Sequence, residues 1–563
     1  MPALSALAPD GSLVDGFMFE GSTVRYLGDE PVDAGIRAEL EPSVADDPNW
    51  LVPGVFYGEN RPAECTRIYP RFTPGHVDVE RMESDSWSFR ADRCATPAVF
   101  AGDSGLITTE TSPLGQPGVG LALRNGKPVI WLDFPYREEP LRYDGSETPV
   151  APDIQTHRWH PGDVVQLDYR VVEGDHRRAL REQHTPFEDP GWVSIDEAAA
   201  LAAWGLWRWH YKPDPPRLIE TAAFDREDAT AGDRDHMHVS WVSGAPYAYA
   251  LLRHGRRVGN DDYVTAAEAV LDHIAANLTP GGTYWSQWTV ERGWTTGWHP
   301  DRTRLHARTL ADAALFMLRA GGRWAASARS NVGVALRTQR ADGALPAAHH
   351  VETGDAVSFD GTAGIAWIPA LVAAGHAEAA QRAAEYYRAF DAWSGAPEDV
   401  DLAPTSEDGY AALMAFVAVQ DWEAAQRAAD WTLTFRYTYD VDFAPDTVLG
   451  RYGFRSRGAD QASPANQHLH AFGLICLPEM VRLARETGDE HYLQVTRENL
   501  SCFRQFVARF DGDFGAQRGM TSERYYQTDC FEAKGGLLPL SHAWTGGVLL
   551  FGCEEALGVP ELQ

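Results

Sequence analysis

Gly361–Gly375, GTAGIAWIPALVAAG, carries no charge and is apolar on every side; one residue later Ala377–Phe390, AEAAQRAAEYYRAF, mixes alanine and aromatics with regularly spaced charge. A helix that is apolar all round is buried all round, whereas an amphipathic helix turns one stripe to the core and the other to water. The stretch therefore reads as an inner helix turning directly into an outer one. The alternation recurs along the chain. GYAALMAFVAVQ (Gly409–Gln420) and AWTGGVLLFGCEEAL (Ala543–Leu557) are of the inner kind, and YLQVTRENLSCFRQFVARF (Tyr492–Phe510) is of the outer kind.

Working outward, twelve helical segments are expected at about 194–210, 244–256, 262–278, 303–321, 323–339, 362–374, 376–390, 408–420, 422–436, 466–487, 490–510 and 542–557. Ser194 with Glu197 three residues on forms a capping box that opens the first. Linkers alternate between a few residues and roughly fifteen to thirty. In a closed ring of antiparallel helices, alternate connections fall at one end, so the long loops share a face, and that face is where function is expected. RADG at Arg340–Gly343 and RFDG at Arg509–Gly512 end two outer helices alike, as a reused hairpin would.

Before Pro190 the character differs. Val165, Leu167, Tyr169 and Val171 alternate with Gln166, Asp168 and Arg170, a period of two that suits a half-buried strand. Similar short runs around Trp87–Arg90, Gly118–Arg124 and Pro128–Phe134 lie between Gly and Pro. The expected fold class is α+β and multidomain: an N-terminal antiparallel β-sandwich over 1–188, then an (α/α)6 toroid of six helical hairpins over 189–563.

Composition narrows the partners. With 49 basic and 80 acidic residues the formal charge is −31, a field that repels phosphate backbones and anionic lipid. No nucleic-acid or membrane partner is expected, and homo-oligomer formation stays open. Six scattered cysteines without a CxxC pair suggest packed thiols, not a zinc site or a disulfide framework. The first residues lack a basic stretch followed by an apolar one, so cytoplasmic residence is the expectation.

The whole chain, read at this level, resembles the six-hairpin glycosidase architecture, which includes glucoamylase-like enzymes, sugar phosphorylases and unsaturated glucuronyl hydrolases, several with an N-terminal β-sandwich. The resemblance implies a carbohydrate substrate. In glucoamylase-like enzymes the acid comes from the loop between the fifth and sixth helices and the base from the loop before the last. By loop position those roles fall here to Asp360 (or Glu352) and Glu523.

The loops supply the residues. TPGGTYWSQWTVERGWTTGWHPDR holds Trp285, Trp288, Trp294 and Trp298, with His299 beside them, and Trp241 stands in the preceding loop. Aromatic faces at that density suit the stacking of sugar rings; the competing role is packing. Glycosidic hydrolysis needs one protonated and one ionised carboxyl group. Asp360 and the pair Glu407–Asp408 stand where inner helices begin, and Glu523 lies in the last loop. Asp360 and Asp408 also sit where a capping carboxylate belongs. Arg308, His349, His350, His468, Tyr525 and Tyr526 complete the candidate binding set. His468 and His470, two apart, diverge if they lie on a helix.

Asp233–His238, DRDHMH, lacks an established metal spacing, and Asp440, Asp442 and Asp446 lack the glycine and terminal glutamate of a calcium loop. No metal is expected, and with no glycine-rich nucleotide fingerprint no cofactor is either. The leading expectation is a glycoside hydrolase acting on an oligosaccharide or polysaccharide end, with inversion favoured. A polysaccharide lyase or uronate epimerase with a Tyr or His base and Arg or Asn against the acid is the alternative, and a non-catalytic carbohydrate-binding protein is the third reading.

Overall fold

The computed structural model describes all residues except 1, 44–47, 64, 144–147, 184–186, 226–231, 399–401, 471 and 531. It is a mixed α+β structure. Near the N-terminus an antiparallel sheet runs in the order Ala3–Leu7, Val32–Leu40, Lys127–Phe134, Gly118–Arg124, Ser86–Arg90, with His157–Trp159 also paired to Val32–Leu40. A second antiparallel sheet, Tyr169–Glu173, Ser104–Thr108, Ala98–Ala101, Trp50–Val52, Phe56–Tyr57, packs against it through Lys127–Phe134. Trp87, Phe89, Val119, Leu121, Ile130 and Leu132 are buried between them, as period-two alternation requires. The alternating run 165–171 is two strands instead of one. Val164–Gln166 pairs with Thr23–Tyr26 and Tyr169–Glu173 with Ser104–Thr108, and the break falls at Asp168, whose carbonyl accepts from Thr108 Oγ1 at 2.7 Å.

Twelve principal helices follow: α1 (Ile195–Gly205), α2 (Ala245–Val258), α3 (Asp261–Ala275), α4 (Ala307–Ala320), α5 (Ala325–Thr338), α6 (Trp367–Ala373), α7 (Ala377–Tyr387), α8 (Ser406–Ala418), α9 (Trp422–Leu433), α10 (Leu477–Thr487), α11 (His491–Phe503) and α12 (Ala543–Ala556). Shorter helices at His176–Arg181 and Val448–Arg451 have no counterpart in the sequence reading. The even-numbered helices touch in cyclic order, α12 returning to α2, and each carries one outer partner: α3, α5, α7, α9, α11 and, for α12, α1. Gly547 permits the closure, because a Cβ there would strike the Tyr247 ring. Burial follows composition: α12 is buried from Ala543 through Glu554, whereas α7 buries only Ala379, Ala380, Ala383, Ala384 and Tyr387.

In three places, residues expected to open an inner helix pair as strands instead. Arg304–His306 pairs with Ala348–His350, Leu540–His542 with Thr221–Ala223, and Asn466–His470 with Asp460–Ser463. His236–His238 likewise pairs with Gln287–Thr289. Loops distant in sequence are thus stitched edge to edge at one rim. No described helix is long and apolar enough to cross a membrane, and all six cysteines are buried thiols.

Candidate active site

At that rim lies a cavity of about 980 Å³ walled by residues from the first, second, fourth, fifth and sixth long loops. Glu523 stands in it. Its Oε2 lies 3.2 Å from His542 Nε2 and 3.5 Å from Arg524 Nε. Burial pushes the Glu523 carboxyl up, but the combined field of His542, Arg524, His470 and Arg234 outweighs it and holds the group below its ordinary value. Glu523 is therefore a carboxylate at neutral pH.

Glu220, on the chain just before the Thr221–Ala223 strand, meets the opposite surroundings. It is 1% exposed, accepts from Gln287 Nε2 at 2.7 Å, and has Arg234 Nη1 at 3.4 Å. Burial dominates and raises its pKa above the ordinary glutamate value. Strand register ties the two carboxyls into one neighbourhood. Thr221 pairs with His542, the residue that touches Glu523, and the Glu220 carbonyl accepts from the amide of Ala543 at 3.0 Å.

Glu407 enters from the first turn of α8 and is ion-paired with Arg308 of α4. Arg308 also faces Asp312 Oδ2 at 3.4 Å, and its guanidinium lies 4.6 Å from the Trp241 ring and 4.9 Å from Phe472. Burial outweighs Arg308 at Asp312 and lifts that carboxyl to about 6. Trp241, Trp298, Trp544 and Phe472 give the cavity its aromatic wall, with His238 stacked on Trp298 at 5.2 Å.

His468 and His470 correct the helical reading of 466–487. NQHLH pairs as a strand, where residues two apart project to one side, and both imidazoles line the cavity. Burial lowers both below the ordinary histidine value, so they are neutral at pH 7. His470 Nε2 lies 3.1 Å from Ser406 Oγ. Asn466, from the same strand, accepts from Arg67 Nη2 of the β-rich segment at 2.9 Å.

Of the residues singled out in the sequence, Trp241, Trp298, Glu407, His468 and Glu523 line this one cavity. Asp360 and His299 do not; they line a separate compartment of about 450 Å³. Asp408 is a structural cap: buried, it accepts from Ala396 N (2.7 Å), Thr405 N (3.1 Å) and Thr405 Oγ1 (2.7 Å), and burial pushes it up to about 7. Arg308 stands behind Glu407 and is spent on it. Trp288 and Trp294 face each other across a hairpin, Trp288 beneath Arg217 at 4.8 Å and Trp294 against His273 at 4.9 Å. Trp285 packs on the helical core. His349 is buried with Nδ1 3.1 Å from the Gly354 carbonyl, and His350 accepts from Glu352 N at 3.2 Å. Tyr525 donates to the Phe506 carbonyl at 2.7 Å in the core, and Tyr526 is buried and pairs through its backbone with Gly535 and Gly536.

The acidic loops are engaged as well: Asp235 holds Arg217 through contacts of 2.6 and 2.8 Å, and Asp440 holds Arg455 at 3.0 Å. Sequence reasoning passed over Glu220, His542, Trp544, Arg234 and Arg524. Glu220 had a visible signal, a lone carboxylate inside the apolar run Leu218–Phe224, where an ionised group has no business unless it does something.

No family model and no curated protein matches the chain. Among solved structures it is similar to a polysaccharide lyase at 11% identity, over 97% of this chain and 88% of that one, with a TM-score of 0.45. A cellobiose 2-epimerase from Spirochaeta thermophila is similar at 11% identity over 63% and 98%, TM-score 0.43. A family 76 glycoside hydrolase from a bovine Bacteroides thetaiotaomicron strain is similar at 9% identity over 81% and 98%, TM-score 0.42. The three names denote three different reactions, and likenesses this distant carry no argument about which of them, if any, this cavity performs.

Proposed function

We propose that this chain is a carbohydrate-active enzyme of the six-hairpin kind, an (α/α)6 toroid over 189–563 behind a β-sandwich-like domain over 1–188, and that it hydrolyses glycosidic bonds of a neutral glycan. One observation carries the reading: a single aromatic-walled cavity holds Glu220 and Glu523, whose surroundings drive their protonation in opposite directions. Glu220, the carboxyl whose affinity for a proton burial raises, is assigned as the acid that protonates the leaving glycosidic oxygen. Glu523, ionised, takes a proton from water as the water oxygen bonds to the anomeric carbon. The step consumes one water, leaves Glu220 ionised and Glu523 protonated, and solvent exchange resets both. Inversion is the favoured outcome and requires room for that water, about 6.5–9.5 Å between the carboxyls. Glu407, held by Arg308, accepts from a sugar hydroxyl. Trp241, Trp298 and Trp544 offer ring faces.

Charge supports a neutral substrate. Both arginines of the wall already lie beside a carboxyl group, Arg234 at 3.4 Å from Glu220 and Arg524 at 3.5 Å from Glu523, so neither is an uncommitted cation for a uronate. The lyase or epimerase reading keeps one favourable observation, the neutral pair His468 and His470 in the cavity wall as candidate bases. Incubation with neutral oligosaccharides separates the two: hydrolysis releases new reducing ends, with the product anomer read by NMR, whereas epimerisation exchanges a carbon-bound hydrogen for deuterium and elimination adds ultraviolet absorbance. Glu220→Gln and Glu523→Gln should each lower kcat at least a thousandfold while the protein stays folded. Full activity of Glu523→Gln removes the proposal.

A further inference from the structure

The compartment that holds Asp360 adjoins the main cavity. Pro397 lines both, and the chain passes from one to the other between consecutive residues, Trp298 facing the first and His299 the second. Pro397 is likewise followed by Glu398 in the second wall. The two spaces are therefore neighbours, with Pro397 common to both walls.

The second compartment of about 450 Å³ has a sugar-binding character of its own. Arg304 and His306 come from the strand before α4, and Asp360 from the turn before α6, where it is exposed and fixed by Ser358 Oγ donating to Oδ2 at 2.6 Å. His306 is 4% exposed, with Nε2 2.9 Å from the Gly395 carbonyl. Donors (Arg304) and acceptors (Asp360, Glu398) thus share the wall with apolar Pro397, Ala363 and Leu402, the mixture that a sugar with hydroxyls and C–H faces requires. The remaining wall is foreign to the helices: Pro62, Cys65 and Thr66 reach it from the β-rich segment. Arg67, next in the chain, holds Asn466 of the main cavity at 2.9 Å. One stretch of the N-terminal segment therefore lines the second compartment and holds a wall residue of the first.

We propose that this second compartment is a further sugar subsite, so that the substrate is an oligosaccharide or polysaccharide lying across Pro397, with the β-rich segment helping to set how many units are gripped. The proposal rests on the hydrolase reading for its substrate class and is separable from it by experiment. Binding to Glu523→Gln protein is measured by calorimetry for cello-, malto- and manno-oligosaccharides of two to six units, so that no turnover intervenes. In the series that binds, members of four units or more should bind at least tenfold tighter than the disaccharide. Adding His299→Ala with Asp360→Ala, or separately Thr66→Trp at an exposed position, should collapse that ratio toward one. A ratio near one in the parent, a ratio the variants leave intact, or no binding by any series overturns the subsite. If the ratio behaves as expected and wild-type protein cleaves none of the bound glycans, the subsite stands and the hydrolase reading falls.

Discussion

Glu220 and Glu523 differ in what surrounds them more than in what they are. At Glu220 burial outweighs the Gln287 hydrogen bond and the single arginine at 3.4 Å, whereas at Glu523 two arginines and two histidines together outweigh burial. Activity should therefore follow a bell in pH. Its acid limb reports Glu523 taking up a proton below the ordinary glutamate range, and its alkaline limb reports Glu220 losing one above that range. Glu220→Gln should remove the alkaline limb from whatever activity remains, and a limb that survives assigns it to another group. Asp408 behaves otherwise. Its folded-state pKa of about 7 lies above the unfolded value, so its contribution to stability is fully present below the ordinary aspartate range and is lost as pH rises toward 7. Asp408→Asn should flatten that part of a denaturation-versus-pH curve, and Asp408→Ala should cost about 1–3 kcal/mol by orphaning the Ala396 and Thr405 amides. Activity per folded molecule should hardly change. The sequence offered both Asp408 and Glu407 as catalytic candidates, with capping as the competing role for Asp408, because both stand in the first turn of α8. Only the 100° step between neighbours on a helix separates the residue turned into the Thr405 cap from the one turned into the cavity.

Elements were legible where composition alone decides and illegible where pairing decides. The burial contrast of α7 and α12 follows from their letters. NQHLH, by contrast, fits a helix as well as a strand until Asp460–Ser463 is placed beside it, and no local signal announces that partner. The same limit hid the strand pairing of Thr221–Ala223 with Leu540–His542, and with it the placing of Glu220 and Glu523 on one cavity. Asp360 and Glu523 line different cavities for a related reason: loop position does not tell which cavity a residue lines. Arg308 and Glu407 join α4 to α8, helices separated in the ring by α6. Breaking a buried pair from one side leaves an uncompensated charge, so Arg308→Met should cost about 3–5 kcal/mol. Arg308→Met with Glu407→Leu should cost far less than the two single changes summed, as read in a urea double-mutant cycle; additivity would mean that the pair does not brace the ring.

The chain as a whole is fastened where residues 90–95 of the β-rich segment enter the helical one. Tyr437 Oη donates to the Asp92 carbonyl at 3.0 Å, Tyr439 Oη to the Cys94 carbonyl at 2.9 Å, and Lys534 Nζ reaches Asp92 at 3.1 Å. Arg93, fully buried, grips Glu138 through 2.5 and 3.1 Å contacts and faces Asp529 at 3.6 Å, while Arg90 holds Asp529 at 2.6 Å. Burial acts to raise Asp529, but the arginines prevail and hold it at about 2. A depressed carboxyl stabilises the fold above its unfolded value and ceases to do so as pH falls through its folded one. Asp529→Asn should therefore be less stable than wild type at pH 7, with the difference closing as pH approaches 2. Because the fastening is shared, the β-rich and helical segments should unfold together. Arg93→Ala leaves the buried Glu138 with only Arg90 at 3.8 Å and should cost about 3–5 kcal/mol. Calorimetry of wild-type protein should give one transition whose calorimetric and van't Hoff enthalpies agree. Two resolved transitions, with Arg93→Ala shifting only the one that belongs to the sheets, would mean that the segments fold independently and that the 90–95 stretch merely rests against the ring.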